Sequence, residues 1–276
     1  MLKEEKIVFV GAGSMAEAMI SGLLANRLLE SKQIWATNHS NDERLKMLEK
    51  KYSIRTSRNY EELFQNSAIV ILAMKPKDVR SSLLSIRDYL SEEKLILSVV
   101  AGISATLIEH TLNMKIPVVR AMPNTSAAVG KSATGIAGGT FSNEKHIHIA
   151  TTLFQSIGTV TVVNEKDLHA VTGVAGSGPA YVYYLAECME ESAVQHGLPK
   201  EVARQLVIQT FLGAAEMLHS ADETPEDLRK QVMSPGGTTE AGIRTLDEYQ
   251  FKRAVHACID AAVKRSHELQ SLFEEE

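Results

Sequence analysis

Cysteine is scarce: two residues, Cys188 and Cys258, in a chain of 276. They lie far apart in stretches of helical period with no Cys-x-x-Cys spacing, which argues against a disulfide framework or a thiolate metal site and points to buried free thiols in a reducing compartment. Proline is also thin, at seven, and no Pro-, Gly- or Ser-rich linker breaks the chain, so any two halves should pack closely rather than hang on a tether. Charge of one sign is never concentrated. The net charge is -5, and the longest single-sign block is the short tail of Glu274, Glu275 and Glu276. That excludes a nucleic-acid or polybasic membrane footprint and leaves a small molecule as the expected partner. No apolar run reaches membrane-spanning length. Lys3, Glu4, Glu5 and Lys6 precede a short apolar run that Gly11 and Gly13 break, which is the wrong order for a signal peptide, so a cytoplasmic protein is expected. The histidines are scattered, and His146 and His148, two apart in a helical pattern, point to different sides. No metal site is expected from them.

What is present is alternation. Short β-branched runs at residues 6–10, 33–37, 68–72, 95–99, 118–121 and 159–163 alternate with helical patterns at 16–24, 42–50, 77–90 and 104–112. Each helical stretch is long enough to cross back over a sheet, so a parallel, helix-covered sheet is predicted. After Asn164 the strand signal stops. The rest should be helices, at about 166–174, 179–196, 200–219, 225–232, 238–248 and 251–273. The expected division is therefore an N-terminal domain at 1–164 and an all-helical one at 165–276.

The first strand runs into Gly11-Ala12-Gly13-Ser14-Met15-Ala16 and then a helical pattern. This is the context of the Gly-x-Gly-x-x-Gly/Ala dinucleotide fingerprint, and it makes the N-terminal half a Rossmann-type domain within an α/β fold. Gly11 permits a tight turn, Gly13 lets a pyrophosphate approach, and Ala16 allows close helix packing. Where an NAD site usually places a carboxylate at the end of the second strand, this chain has Asn38, His39 and Ser40. A carboxylate there would repel a 2′-phosphate, so its absence favours NADPH, with NADH possible. Asp42 and Glu43 follow closely, and Arg44 is the nearest guanidinium in sequence. Ala73-Met74-Lys75-Pro76 and Met122-Pro123-Asn124-Thr125 also sit at carboxyl ends of strands, where open α/β sheets bind ligands. Lys75 and Asn124 could serve the ribose or the nicotinamide amide.

Two glycine-rich breaks interrupt the helical half. Gly173-Val174-Ala175-Gly176-Ser177-Gly178-Pro179 should end one helix and start another at Pro179. Ser234-Pro235-Gly236-Gly237-Thr238-Thr239-Glu240 should open a further helix, whose free amides at Gly237, Thr238 and Thr239 suit a carboxylate or phosphate.

Taken in order, Gly-Ala-Gly-Ser-Met, Met-Lys-Pro, Val100-Ala101-Gly102-Ile103-Ser104, Arg120-Ala121-Met122-Pro123-Asn124-Thr125, Gly-Ser-Gly-Pro-Ala-Tyr and Ser-Pro-Gly-Gly-Thr-Thr-Glu-Ala-Gly span nearly the whole chain. The combination resembles the pyrroline-5-carboxylate reductases. The resemblance implies NAD(P)H-dependent reduction of the C=N bond of Δ1-pyrroline-5-carboxylate to L-proline, the last step of proline synthesis. It also implies that the amides of Gly237, Thr238 and Thr239 hold the substrate carboxylate, with Ser234 and Gly236 in the same turn. The Thr239 hydroxyl would bond the ring nitrogen. Asn124, Lys75, Ala101 and Gly102 would adjoin the nicotinamide. The family's active site forms across a subunit interface, so a homo-oligomer, at least a dimer, is expected. Where the family often carries Arg after Asn in the adenine-end loop, this chain has His39 after Asn38.

The chemistry is compatible on its own terms, because a cyclic imine can arrive protonated and accept hydride without an obligatory side-chain acid. Glu240 is the one acidic group beside either glycine-rich turn. A β-hydroxyacid dehydrogenase would need Lys and Asn where this chain has Val182 and Leu185. A non-catalytic, nucleotide-binding paralogue would show damage in the turn from Ser234 to Thr239, and none is visible.

Overall fold

In the computed structural model, which describes residues 5–275, strand β1 (Lys6–Val10) splits its side chains between two apolar layers. Ile7 and Phe9 enter one layer, Val8 and Val10 the other, as the two-residue period of a strand buried on both faces requires. Around it the chain runs α1 (Ser14–Ala25), β2 (Ile34–Thr37), α2 (Asp42–Tyr52), β3 (Arg55–Thr56), α3 (Tyr60–Phe64), β4 (Ser67–Leu72), α4 (Val79–Ile86), β5 (Leu95–Ser98), α5 (Ala105–Leu112) and β6 (Val118–Met122). It continues through β7 (Ser132–Gly138), α6 (Glu144–Phe154), β8 (Gly158–Val162) and α7 (Leu168–Val171). Five helices complete it: α8 (Gly178–Gln195), α9 (Lys200–Ser220), α10 (Pro225–Gln231), α11 (Thr238–Glu248) and α12 (Phe251–Glu275).

The eight strands form one sheet in the order β3-β2-β1-β4-β5-β6-β7-β8. Its first six strands follow the doubly wound dinucleotide-binding order, with the switch point between β1 and β4. All pairings are parallel except β6 with β7, which is antiparallel. The sheet is thus mostly parallel, with this one reversed strand pair beyond the parallel part predicted. No crossover helix follows β6: Asn124 caps a 3-10 turn at Thr125–Val129, Gly130 at φ 69° reverses the chain, and β7 returns beside β6. With three glycines or alanines among its last four residues, β7 carries little strand signal of its own. The two-residue β3 and five-residue α3 were likewise too short to register as periodic.

The chain separates into two compact units, Met1–Ser177 with Ala261–Glu276, and Gly178–Asp260. The segment from residue 165 to Ser177 packs on the sheet and so is grouped with the strands. Val171 lies so close over Gly135 that a Cβ on that glycine would stand 2.8 Å from it. The end of α12 belongs to the same unit, where Phe273 and Leu269 press on Gly102. Instead of a clean end before Pro179, the helix after α7 widens into a π-turn at Thr172–Gly176, closed by Ser177 N–H donating to Thr172 O at 2.8 Å.

The unit Gly178–Asp260 is wholly helical and buries only Ala203 and Val207 among its apolar side chains. Tyr183, Tyr184, Leu212 and Tyr249 are well exposed. A helical unit that leaves this much apolar surface uncovered is built to meet another surface. The two cysteines correct the expectation of burial: both are free thiols and both are exposed, on α8 and α12. Their helical period is real, but the faces they share are not covered within one chain. Among the described residues, no helix is long and apolar enough to cross a membrane. The expectation that the chain does not open on a signal peptide falls in part on residues 1–4, outside the described residues.

Candidate active site

At the sheet's carboxyl edge three backbone bonds carry the ladder just past the strand ends. Gly11 N–H donates to Thr37 O (3.0 Å), Ala73 N–H to Val10 O (2.9 Å), and Val99 N–H to Leu72 O (3.1 Å). Since β1, β2, β4, β5 and β6 run parallel, this edge gathers Gly11 to Met15, Asn38 to Ser40, Ala73 to Pro76, Ala101 with Gly102, and Asn124. Gly11 has φ 108°, and a Cβ there would collide with the Ala73 carbonyl. Gly13 caps α1 in extended backbone without any side-chain cap, and a Cβ on it would meet nothing within 4 Å. An open surface above small residues, with unpaired amides at the helix start, fits a dinucleotide pyrophosphate. Ala12 is buried, whereas Gly13 and Ser14 are exposed.

Arg44, the guanidinium nearest in sequence to the loop after β2, is committed to the glycine turn. Its Nε donates to Ala12 O at 2.6 Å and its Nη2 to Gly13 O at 3.2 Å and Glu17 Oε2 at 2.6 Å. Lys51 (2.8 Å) and the Tyr52 hydroxyl (3.0 Å) also donate to Glu17. Bonding to Lys51 first, then to Arg44 and Tyr52, outweighs desolvation and pulls the Glu17 carboxyl down to about 2. The clamp braces the underside of the glycine turn.

Asn38 turns its Oδ1 inward, accepting from Ser40 and Asn41 amides at 3.1 and 3.0 Å, while His39 and Ser40 remain exposed. Lys75 and Ala101 are exposed too. Asn124 differs. Its Nδ2 donates to Ala175 O at 2.9 Å and its Oδ1 accepts from Ser126 N–H, so the buried amide ties β6 to the π-turn with both polar ends engaged.

In the helical unit, the segment before α11 is a tight turn. Gly237 N–H donates to Ser234 O at 2.9 Å, and Gly236, at φ 72°, donates its N–H to Glu240 Oε2 at 2.6 Å. Gly237 is the N-cap and no side chain caps the helix. Of the three amides expected to face an anion, that of Gly237 is therefore spent within the turn, and those of Thr238 and Thr239 stay open at the helix start.

Sequence reading passed over two features. Arg120, 4% exposed, pairs with Glu165 at 2.9 Å, and Glu165 also accepts the Ala105 amide. Arg58 stands beside the loop after β2, its Nε donating to Asn38 O at 3.1 Å. Counting forward from β3 as the neighbour of β2 would have found it, had so short a strand been visible. Among the described residues, no group of three or more His, Cys, Asp or Glu is placed to hold a metal ion.

Fold and site together define an NAD(P)H-dependent oxidoreductase with a helical second half. The family model described as "NADP oxidoreductase coenzyme F420-dependent" matches residues 6–102, and that described as "Pyrroline-5-carboxylate reductase dimerisation" matches residues 165–269, which supports a homo-oligomer. Pyrroline-5-carboxylate reductase 2 of Bacillus subtilis is 48% identical over 98% of this chain and 96% of its own. A pyrroline-5-carboxylate reductase structure from Coxiella burnetii superposes with a TM-score of 0.90 at 34% identity, covering 96% of this chain and 98% of that one. The Plasmodium falciparum pyrroline carboxylate reductase with NADP bound gives 0.87 at 28%, covering 97% and 99%. The chain belongs to the pyrroline-5-carboxylate reductase family.

Proposed function

We infer that the protein reduces Δ1-pyrroline-5-carboxylate to L-proline with NADPH or NADH, acting in the cytoplasm as a homodimer or a larger assembly of dimers. The observation that carries the substrate side is the uncapped start of α11, joined to the full-length likeness to reductases of this substrate. In this reading the amides of Thr238 and Thr239 bind the substrate carboxylate, and Ser234, Gly236 and Gly237 shape the turn that presents them. The Thr239 hydroxyl oxygen accepts a hydrogen bond from the protonated ring nitrogen, which orients the imine carbon and steadies its charge.

The turn from Gly11 to Met15 seats the pyrophosphate, Asn38 to Ser40 flank the adenosine ribose, and Ala73 to Pro76, Ala101, Gly102 and Asn124 border the nicotinamide end. The bound reduced nicotinamide supplies the hydride. No side chain has to donate a proton to the ring nitrogen during hydride transfer, because the iminium already carries one there, and positioning supplies most of the rate. Asn124 acts through the Ala175 carbonyl it holds rather than by contact.

The test is oxidation of NADPH, then of NADH, by purified protein on addition of racemic pyrroline-5-carboxylate, with a β-hydroxyacid plus NADP in parallel. Imine-dependent turnover is expected. Dinucleotide binding without turnover would move the reading to a non-catalytic paralogue.

A further inference from the structure

The loop after β2 offers no carboxylate to a ribose, and what stands over it comes from the neighbouring strand. β3 pairs with β2 in parallel register, Trp35 opposite Arg55 and Ala36 opposite Thr56. Carried past the strand ends, that register sets Arg58 beside Asn38. The contact is made: Arg58 Nε donates to Asn38 O at 3.1 Å, and Nη2 lies 2.7 Å from Asp42 Oδ1. Both side chains are open to solvent, 43% and 65% exposed. The other guanidinium nearby, Arg44, is committed to Ala12, Gly13 and Glu17.

We propose that Arg58 reads the 2′-phosphate of NADPH, and that Asp42 restrains the preference by competing with that phosphate for the same guanidinium. The proposal rests on the cofactor reading of the turn at Gly11 to Met15. The Asn38 carbonyl fixes the plane of the guanidinium at the end of β2, where an adenosine ribose lies in this fold. Nη1 has no partner among the described residues and Nη2 is held only by the exposed Asp42, so a phosphate that takes both nitrogens as a fork must displace that carboxylate. The pair with Asp42 is solvent-exposed and worth little by itself. A phosphate dianion, with more charge and fork-matching oxygens, displaces it readily. NADH presents a hydroxyl there and leaves the Arg58–Asp42 pair intact. Binding of NADPH therefore gains one charged contact and gives up one weak ion pair, which makes the preference for NADPH positive but blunted.

The experiment measures dissociation constants of full-length protein for NADPH and NADH by fluorescence titration without substrate, and for 2′-AMP and 5′-AMP by competition. Arg58→Ala should weaken NADPH and 2′-AMP by about tenfold or more while NADH and 5′-AMP stay within about twofold. Asp42→Asn, which keeps the fold of α2's first turn and removes only charge, should tighten NADPH by about threefold and leave NADH unchanged. Equal weakening of both dinucleotides by Arg58→Ala, or no change in either, overturns the proposal while leaving the glycine-turn site standing. Wild-type protein that binds neither dinucleotide overturns that site reading itself, and this proposal with it.

Discussion

The imidazole of His169 on α7 lies face to face with that of His267 on α12, ring centroids 3.7 Å apart and planes 27° from parallel. Its Nδ1 is 2.9 Å from the Ser266 hydroxyl. Two stacked imidazoles tolerate each other only while at least one is neutral. Burial first, then His267 and Arg120, hold the His169 pKa below the usual imidazole value, against a weaker opposite pull from Glu165 and Glu274.

A pH dependence of stability follows. A depressed imidazole pKa means that the unfolded chain takes up the proton before the folded one does. The contribution is therefore complete above the ordinary histidine value of 6.5 and declines as pH falls through it. Thermal unfolding should show a lower Tm at about pH 5.5 than at about pH 7.5. His169→Asn should lower Tm at the higher pH and flatten the difference between the two. A slope unchanged in that variant would exclude His169 as its source.

Gly11 makes the second prediction. With φ at 108° and the Ala73 carbonyl where a Cβ would go, Gly11→Ala must both strain its own backbone and push β4's end away. The expected cost is about 2–3 kcal/mol in stability, from left-handed strain and overpacking together. Dinucleotide affinity should fall at least tenfold, by roughly 1.4 kcal/mol or more. Gly13→Ala, with open space around its Cβ, should fold normally and lose only dinucleotide affinity. Titration with NADPH alongside urea unfolding separates the two.

How much of this was written in the residues differs by element. The six strands read from β-branched runs appear within a residue of their expected bounds, and the helices after Ser177 within two, because their apolar periods span many residues. β7 was hidden, since Ser132–Gly138 forms a strand by lying against β6 and β8 rather than by propensity. The π-turn at Thr172–Gly176 was hidden for a related reason: it depends on Asn124 reaching Ala175, fifty-one positions away in sequence. The glycine turn and the turn before α11 were legible because glycine spacing is a local signal. Which amides remain open was not, because Glu240 taking the Gly236 N–H is a matter of folded geometry. The exposure of Cys188 and Cys258 was unreadable from one chain, since periodicity marks an apolar face without saying whether the same chain covers it.

The third prediction separates positioning from contact in the α11 turn. Thr239→Ala removes the hydroxyl assigned to the ring nitrogen and keeps the amide, so kcat should fall by about tenfold to a hundredfold, with the NADPH dissociation constant unchanged. Glu240→Ala releases the Gly236 N–H and lets the turn relax, which should raise the KM for the imine by about tenfold with a smaller effect on kcat. Glu240→Gln retains an acceptor and should stay within about threefold of wild type. A Glu240→Ala variant with unaltered KM would show that the turn keeps its shape without that bond.

Glu17 provides the last prediction, because one carboxylate holds both Lys51 and the Arg44 that braces the glycine turn. Its folded pKa is about 2 against an ordinary 4.5, with the Lys51 bond the largest cause. A depressed carboxyl contributes stability that is whole above about 4.5 and is lost as pH falls toward about 2. Because Lys51 is more than half exposed, solvent screening trims the gain, and Glu17→Gln should cost about 1–2 kcal/mol at neutral pH. The gap between variant and wild type should close on acidification across that window. Since Arg44 loses its anchor, the same variant should also bind NADPH and NADH more weakly by a similar factor, about threefold to tenfold. That equal loss distinguishes Glu17 from Arg58, whose removal discriminates between the two dinucleotides. Full NADPH affinity in Glu17→Gln would mean that the bonds from Arg44 to Ala12 and Gly13 hold the turn without the carboxylate.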